Sequence, residues 1–67
     1  MSLNLHLLRI FAAVAKHSSF SLAAHELGVG QPAVSKAVRE FEAQIGAPLL
    51  ERGPSGIRPT EAGQVLI

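Results

Sequence analysis

A 67-residue chain without a single cysteine must hold its shape by side-chain packing alone, because disulfides and thiolate zinc sites, the usual staples of small domains, are closed to it. That length accommodates one small domain, residues 1–67. Hydrophobic residues make up 48% of the chain, which excludes disorder, and the mean hydropathy of +0.30 predicts more apolar surface than a single small core hides. Six Lys and Arg stand against five acidic residues, a net charge of +1, so bulk charge names no partner.

Several function classes fall away at once. No apolar run approaches the roughly 18 residues of a membrane helix, and Met1 to Leu8 lacks the basic start and cleavage site of a signal peptide, so the chain reads as cytoplasmic. There is no aspartate, and His6, His17 and His25 fall on different helical faces without the spacing of a metal pair. Gly53-Pro54-Ser55-Gly56 lacks the lysine and the strand-to-helix setting of a phosphate loop. No catalytic residue, metal ligand or cofactor is expected.

The breakers divide the chain into short helices. Asn4 is placed to cap a helix from Leu5 to His17, which carries two apolar stripes. One stripe is Leu5, Leu8, Phe11, Ala12 and Ala15; the other is Leu7, Ile10 and Val14, either a wide core face or a docking surface. Ser21 is expected to cap a second helix, Leu22 to Leu27, which Gly28 ends. Gln31-Pro32 opens a third helix, whose first turn tolerates proline, and Gly46 stops it after Ile45. Leu49 to Arg52 and Ile57 to Pro59 flank a glycine-rich turn and predict a hairpin. Thr60 is a cap for a further helix beginning at Glu61.

The third helix carries the most information. Val34, Ala37, Val38, Phe41 and Ile45 share a face that must enter the core. Pro32, Ser35, Lys36 and Arg39 lie opposite, with Gln31 near their edge. Glutamine can pair with adenine, serine serves a base edge or a phosphate, and lysine and arginine reach guanine or phosphate. Ala24, Gly28, Val29 and Val34 add the spacing of a helix-turn-helix, with a small residue at the helix contact and glycine at the turn.

From Asn4 to Gly63 the sequence resembles the N-terminal DNA-binding domain of LysR-type transcriptional regulators. The resemblance is carried by Leu8-Arg9-Ile10-Phe11-Ala12-Ala13-Val14-Ala15, Ser19-Phe20-Ser21, Ala23-Ala24, Gln31-Pro32-Ala33-Val34-Ser35, Phe41-Glu42, Ile45 to Arg52 and Thr60-Glu61-Ala62-Gly63. It implies a mainly α winged helix-turn-helix: a three-helix core, a short β-hairpin wing and, over residues 59–67, the start of a linker helix. The third helix, 31–45, would enter the major groove of double-stranded DNA with Gln31, Pro32, Ser35, Lys36 and Arg39. Ser21 would meet a phosphate, and Arg52 of the wing would approach the backbone or minor groove. The linker helix would pair two or more copies, and a small-molecule effector would bind only through a separate C-terminal domain, absent from these 67 residues.

The chain departs from the family pattern at Gly30, where serine or threonine is common, at Leu22, where a cation is common, and at the uncharged wing tip Pro54-Ser55. Leu7, Ile10 and Val14, together with Val65, Leu66 and Ile67, are the expected contacts with a linker helix or second subunit. The alternative is a winged-helix module that binds protein through the Leu7, Ile10 and Val14 stripe, without nucleic acid.

Overall fold

A computed structural model describes residues 4–67, in the order α1 (Leu5–His17), α2 (Phe20–Leu27), α3 (Gln31–Ile45), β1 (Leu50–Gly53), β2 (Gly56–Pro59) and α4 (Glu61–Leu66). Residues 1–3 of the expected domain lie outside the described residues. The caps set most helix ends. Asn4 Oδ1 accepts from the Leu7 N–H at 3.2 Å and starts α1, whose last turn carries Lys16 and His17 at the negative end of the helix. Gly28 and Gly46 take left-handed conformations, φ 71° and 86°, and close α2 and α3.

The second helix begins earlier than the sequence predicts. Ser19, not Ser21, is its cap, accepting from the Leu22 N–H at 3.1 Å. This start lets Phe20 pack against the core, and Ala23 and Ala24 are buried. Ser21 is thereby moved into the first turn, with its hydroxyl free for other work.

Three helices enclose the core, in which Phe11, Phe41, Leu49, Val14 and Val34 are the largest fully buried side chains. Phe11 and Phe41 meet at 5.9 Å between ring centroids with their planes tilted by 50°, an arrangement that suits the aromatic quadrupoles. Leu7, Ile10 and Val14, read either as a wide core face or as a contact with a linker helix or second subunit, are buried here at 4%, 9% and 0% exposure. Both α2 and α3 pack on α1, so this stripe is consumed within the domain. Of the companion stripe only Phe11 is fully buried; Leu5 is 69% exposed, and Leu8, Ala12 and Ala15 are half-buried.

The wing is a two-stranded antiparallel hairpin with Glu51 opposite Arg58 and Arg52 opposite Ile57. Leu49 precedes the first strand and plugs the core beneath it. The turn end of the hairpin is tied to the α1–α2 turn, where the Ser18 carbonyl accepts from the Ile57 N–H at 3.2 Å. Gly56, at φ 115°, lies so near that a Cβ there would stand 2.9 Å from the same oxygen. Thr60 then caps α4 through the Gly63 N–H at 3.1 Å.

Candidate nucleic-acid interface

Gln31, Pro32, Lys36 and Arg39 are exposed along the outer face of α3, and Ser35 is half-buried beside them. The face exists because Val34, Ala37, Val38 and Phe41 turn the opposite side of the helix into the core, as the 3.6-residue period dictates. Gly30 caps α3 without any side-chain hydrogen bond.

Between α3 and the wing runs an open cleft of about 250 Å³. Ser35, Arg39 and Glu42 line one wall, Leu50, Glu51 and Arg52 the other, and Phe20 contributes to the lining as well. The fold therefore brings Arg52 to the same cleft as two of the α3 residues, while Gln31, Pro32 and Lys36 lie outside it. Phe20 was not legible as part of this region, because its place depends on the true start of α2.

Two of the three acids on this side are engaged by groups other than Lys36, Arg39 and Arg52. Residues 36 to 58 hold Lys36, Arg39, Arg52 and Arg58 against Glu40, Glu42 and Glu51. Glu42 turns its Oε2 to the Leu49 and Leu50 N–H groups, at 2.7 and 3.3 Å, so this carboxylate oxygen is engaged by backbone donors. Glu51 Oε2 accepts from Arg58 Nε at 3.0 Å across the hairpin. Among the described residues the other ion pairs are Lys16 and His17 with Glu26, so Lys36, Arg39 and Arg52 have no acidic partner. Three uncommitted cations thus accompany a glutamine and a serine on one side of the molecule.

Ser21 is not aimed at open solvent alone. Its hydroxyl donates to Gln31 Oε1 at 3.3 Å, linking the first turn of α2 to the first residue of α3. Val65 is 81% exposed and Ile67 68% exposed, whereas Leu66 is half-buried and leans on the core. No helix among the described residues is long and apolar enough to cross a membrane, and none of their His and Glu side chains gather into a group of three.

Residues 5–64 match the family described as bacterial regulatory helix-turn-helix protein, lysR family. The chain belongs to the LysR family. Its architecture is that family's winged helix-turn-helix DNA-binding domain. Among LysR-type relatives, it is 45% identical over 62 residues to the HTH-type transcriptional regulator BudR of Raoultella terrigena, covering 92% of this chain and 21% of that protein. It is 48% identical over 64 residues to the RuBisCO operon transcriptional regulator of Allochromatium vinosum, covering 96% and 21%. The chain thus spans about a fifth of the length of these curated relatives. Among solved LysR structures, the complex of the BenM DBD with benA site 1 DNA aligns with a TM-score of 0.86 at 36% identity, covering 94% of this chain and 71% of that one. Vibrio fischeri DarR in complex with DNA gives 0.87 at 35% identity, covering 97% and 22%.

Proposed function

We propose that this LysR-type domain reads double-stranded DNA with α3 in the major groove, as one half of a homodimer or larger assembly joined through α4. Gln31, Pro32, Ser35 and Lys36 face base edges and phosphates, Arg39 reaches the backbone beside them, and Arg52 brings the wing to the flanking phosphate. Regulation by a small molecule belongs to a further domain of the kind that the longer relatives have room for. The setting is the cytoplasm, where bacterial DNA is.

The observation that carries this reading is the lack of acidic partners for Lys36, Arg39 and Arg52 while Glu42 and Glu51 are each engaged elsewhere. A face prepared for phosphate has cations to spare. Backbone contacts supply affinity and base-edge groups supply discrimination, and both kinds stand on the same side here. The rival reading, a protein-binding winged helix without DNA, relied on the Leu7, Ile10 and Val14 stripe, and burial of those side chains removes its surface.

Selection of bound duplexes from a random pool, followed by fluorescence anisotropy at several salt concentrations, tests the proposal. A recovered half-site and a salt slope of about −2 to −3 per subunit are expected. Equal affinity for all duplexes, or no salt dependence, would refute it.

A further inference from the structure

The short segment Pro48-Leu49-Leu50 is gripped from two sides. From α3, the Glu42 carboxylate accepts from the Leu49 and Leu50 N–H groups at 2.7 and 3.3 Å. From α4, the Thr60 hydroxyl donates to the Pro48 carbonyl at 2.7 Å, and the Thr60 N–H donates to the Leu49 carbonyl at 2.9 Å. Gly63 is buried flush against that same carbonyl: a Cβ there would collide with the Leu49 oxygen and stand 3.1 Å from Phe11 Cζ. Leu49 itself is fully buried, so the segment cannot slide. The hydrogen bonds and the close packing together couple the start of α4 to α3 through this segment.

We propose that Glu42, Thr60 and Gly63 are positioning residues that fix the angle between the reading helix and the linker helix, and so select the spacing between two DNA half-sites. This rests on the reading that α3 contacts DNA and α4 joins two copies. Adjacent base pairs differ by about 3.4 Å along the duplex, so a stiff junction distinguishes neighbouring spacings and a loose one does not. The half-site sequence is read elsewhere, by Gln31 and its neighbours, and is unaffected by these three residues. Glu42 has a structural task beside a face that otherwise favours cations: it holds two backbone donors, which needs an acceptor oxygen more than a charge.

The absence of native cysteine makes the test direct, because spin labels can be attached at Ala33→Cys and Gln64→Cys, both exposed and outside the proposed contacts. The label-to-label distance distribution, measured with excess unlabelled chain, should be narrow in the parent. It should broaden clearly in Glu42→Ala and stay narrow in Glu42→Gln, which retains an acceptor oxygen. On duplexes carrying two copies of the selected half-site, the parent should prefer one spacing about tenfold over its neighbours, and Glu42→Ala less than about threefold, with the same half-site sequence. If Glu42→Ala does not fold, Thr60→Val carries the same comparison from the α4 side. An unchanged distance distribution in the alanine or valine variant, or an unchanged spacing preference, overturns the proposal. Failure of the parent to bind DNA would instead overturn the functional reading, while the distance measurement would still decide the stiffness of the junction.

Discussion

The hydroxyl of Ser21 donates to Oε1 of Gln31 across the helix-turn-helix, at 3.3 Å. That bond occupies one lone pair of the amide oxygen and leaves the Gln31 Nε2 amide hydrogens free, so the pair of groups suited to adenine is oriented before any base arrives. Gln31→Ala should cost about 1 to 3 kcal/mol on a selected site and little on random duplex. Ser21→Ala should lose part of the same discrimination, and the double variant should fall short of the sum of the two. Anisotropy titrations of all four proteins on both duplexes measure this. Strict additivity would mean that the serine acts independently of the glutamine.

The two arginines of the wing should behave differently. Arg52 has no acidic partner, and Arg52→Ala should weaken binding almost uniformly across sequences and flatten the salt slope by about one unit. Arg58 is held by Glu51 at 3.0 Å, so Arg58→Ala should change the slope less. The exposed pair itself contributes at most about 1 kcal/mol to stability. Matched salt titrations separate the two residues, and equal slopes in the two variants would contradict the assignment.

Burial assigns the α1 stripe to stability, and the exposed end of α4 is the surface proposed for association. Ile10→Val should lower unfolding stability by about 0.5 to 1.5 kcal/mol, and Phe41→Ala, at about 3 to 5 kcal/mol, should leave little of a domain this small folded. Neither Ile10→Val nor Leu7→Val should alter self-association of the folded fraction. Val65→Glu and Ile67→Glu should reduce it without lowering the melting temperature of dilute, monomeric protein. Sedimentation and thermal melts on the same samples provide both readings.

Acid should loosen the contact between α1 and α2. Glu26 accepts from His17 Nε2 at 2.9 Å and from Lys16 Nζ at 3.0 Å, and these bonds, that of His17 first, hold its carboxyl below the usual 4.5. A carboxylate depressed in the folded state stabilises above its unfolded pKa, and that contribution is lost as pH falls through the folded value. Parent and Glu26→Gln should therefore differ in melting temperature at neutral pH and converge as the solution is acidified below 4.5. The difference should be small, because the group is exposed. A gap that widens in acid would reverse the sign argued here.

Much of this structure is legible from local chemistry. Asn4, Gly28, Gly46 and Thr60 fall at helix ends as their side chains, or lack of one, require, and the spans of α1 and α3 follow the breakers. What local chemistry leaves open are choices between near-equal candidates. Ser19 and Ser21 are both good caps, and only the packing of Phe20 selects the first. Helix α1 is apolar on two sides, so its period alone does not say which stripe meets α2 and α3. Glu42 and Ser21 find partners seven to ten residues away, a matter of how the helices cross and not of sequence spacing. The outer face of α3 was readable because its core face is unambiguous.

The tie between the hairpin and Ser18 has a practical consequence. Because Ile57 and Gly56 anchor the turn end of the hairpin to the α1–α2 turn, and the strands are paired up to Gly53 and Gly56, the two exposed tip residues, Pro54 and Ser55, project from a fixed base. Such tips accept sequence change readily. The wing is in effect an interchangeable fingertip: two residues through which an engineer could graft new groove contacts onto an unchanged scaffold.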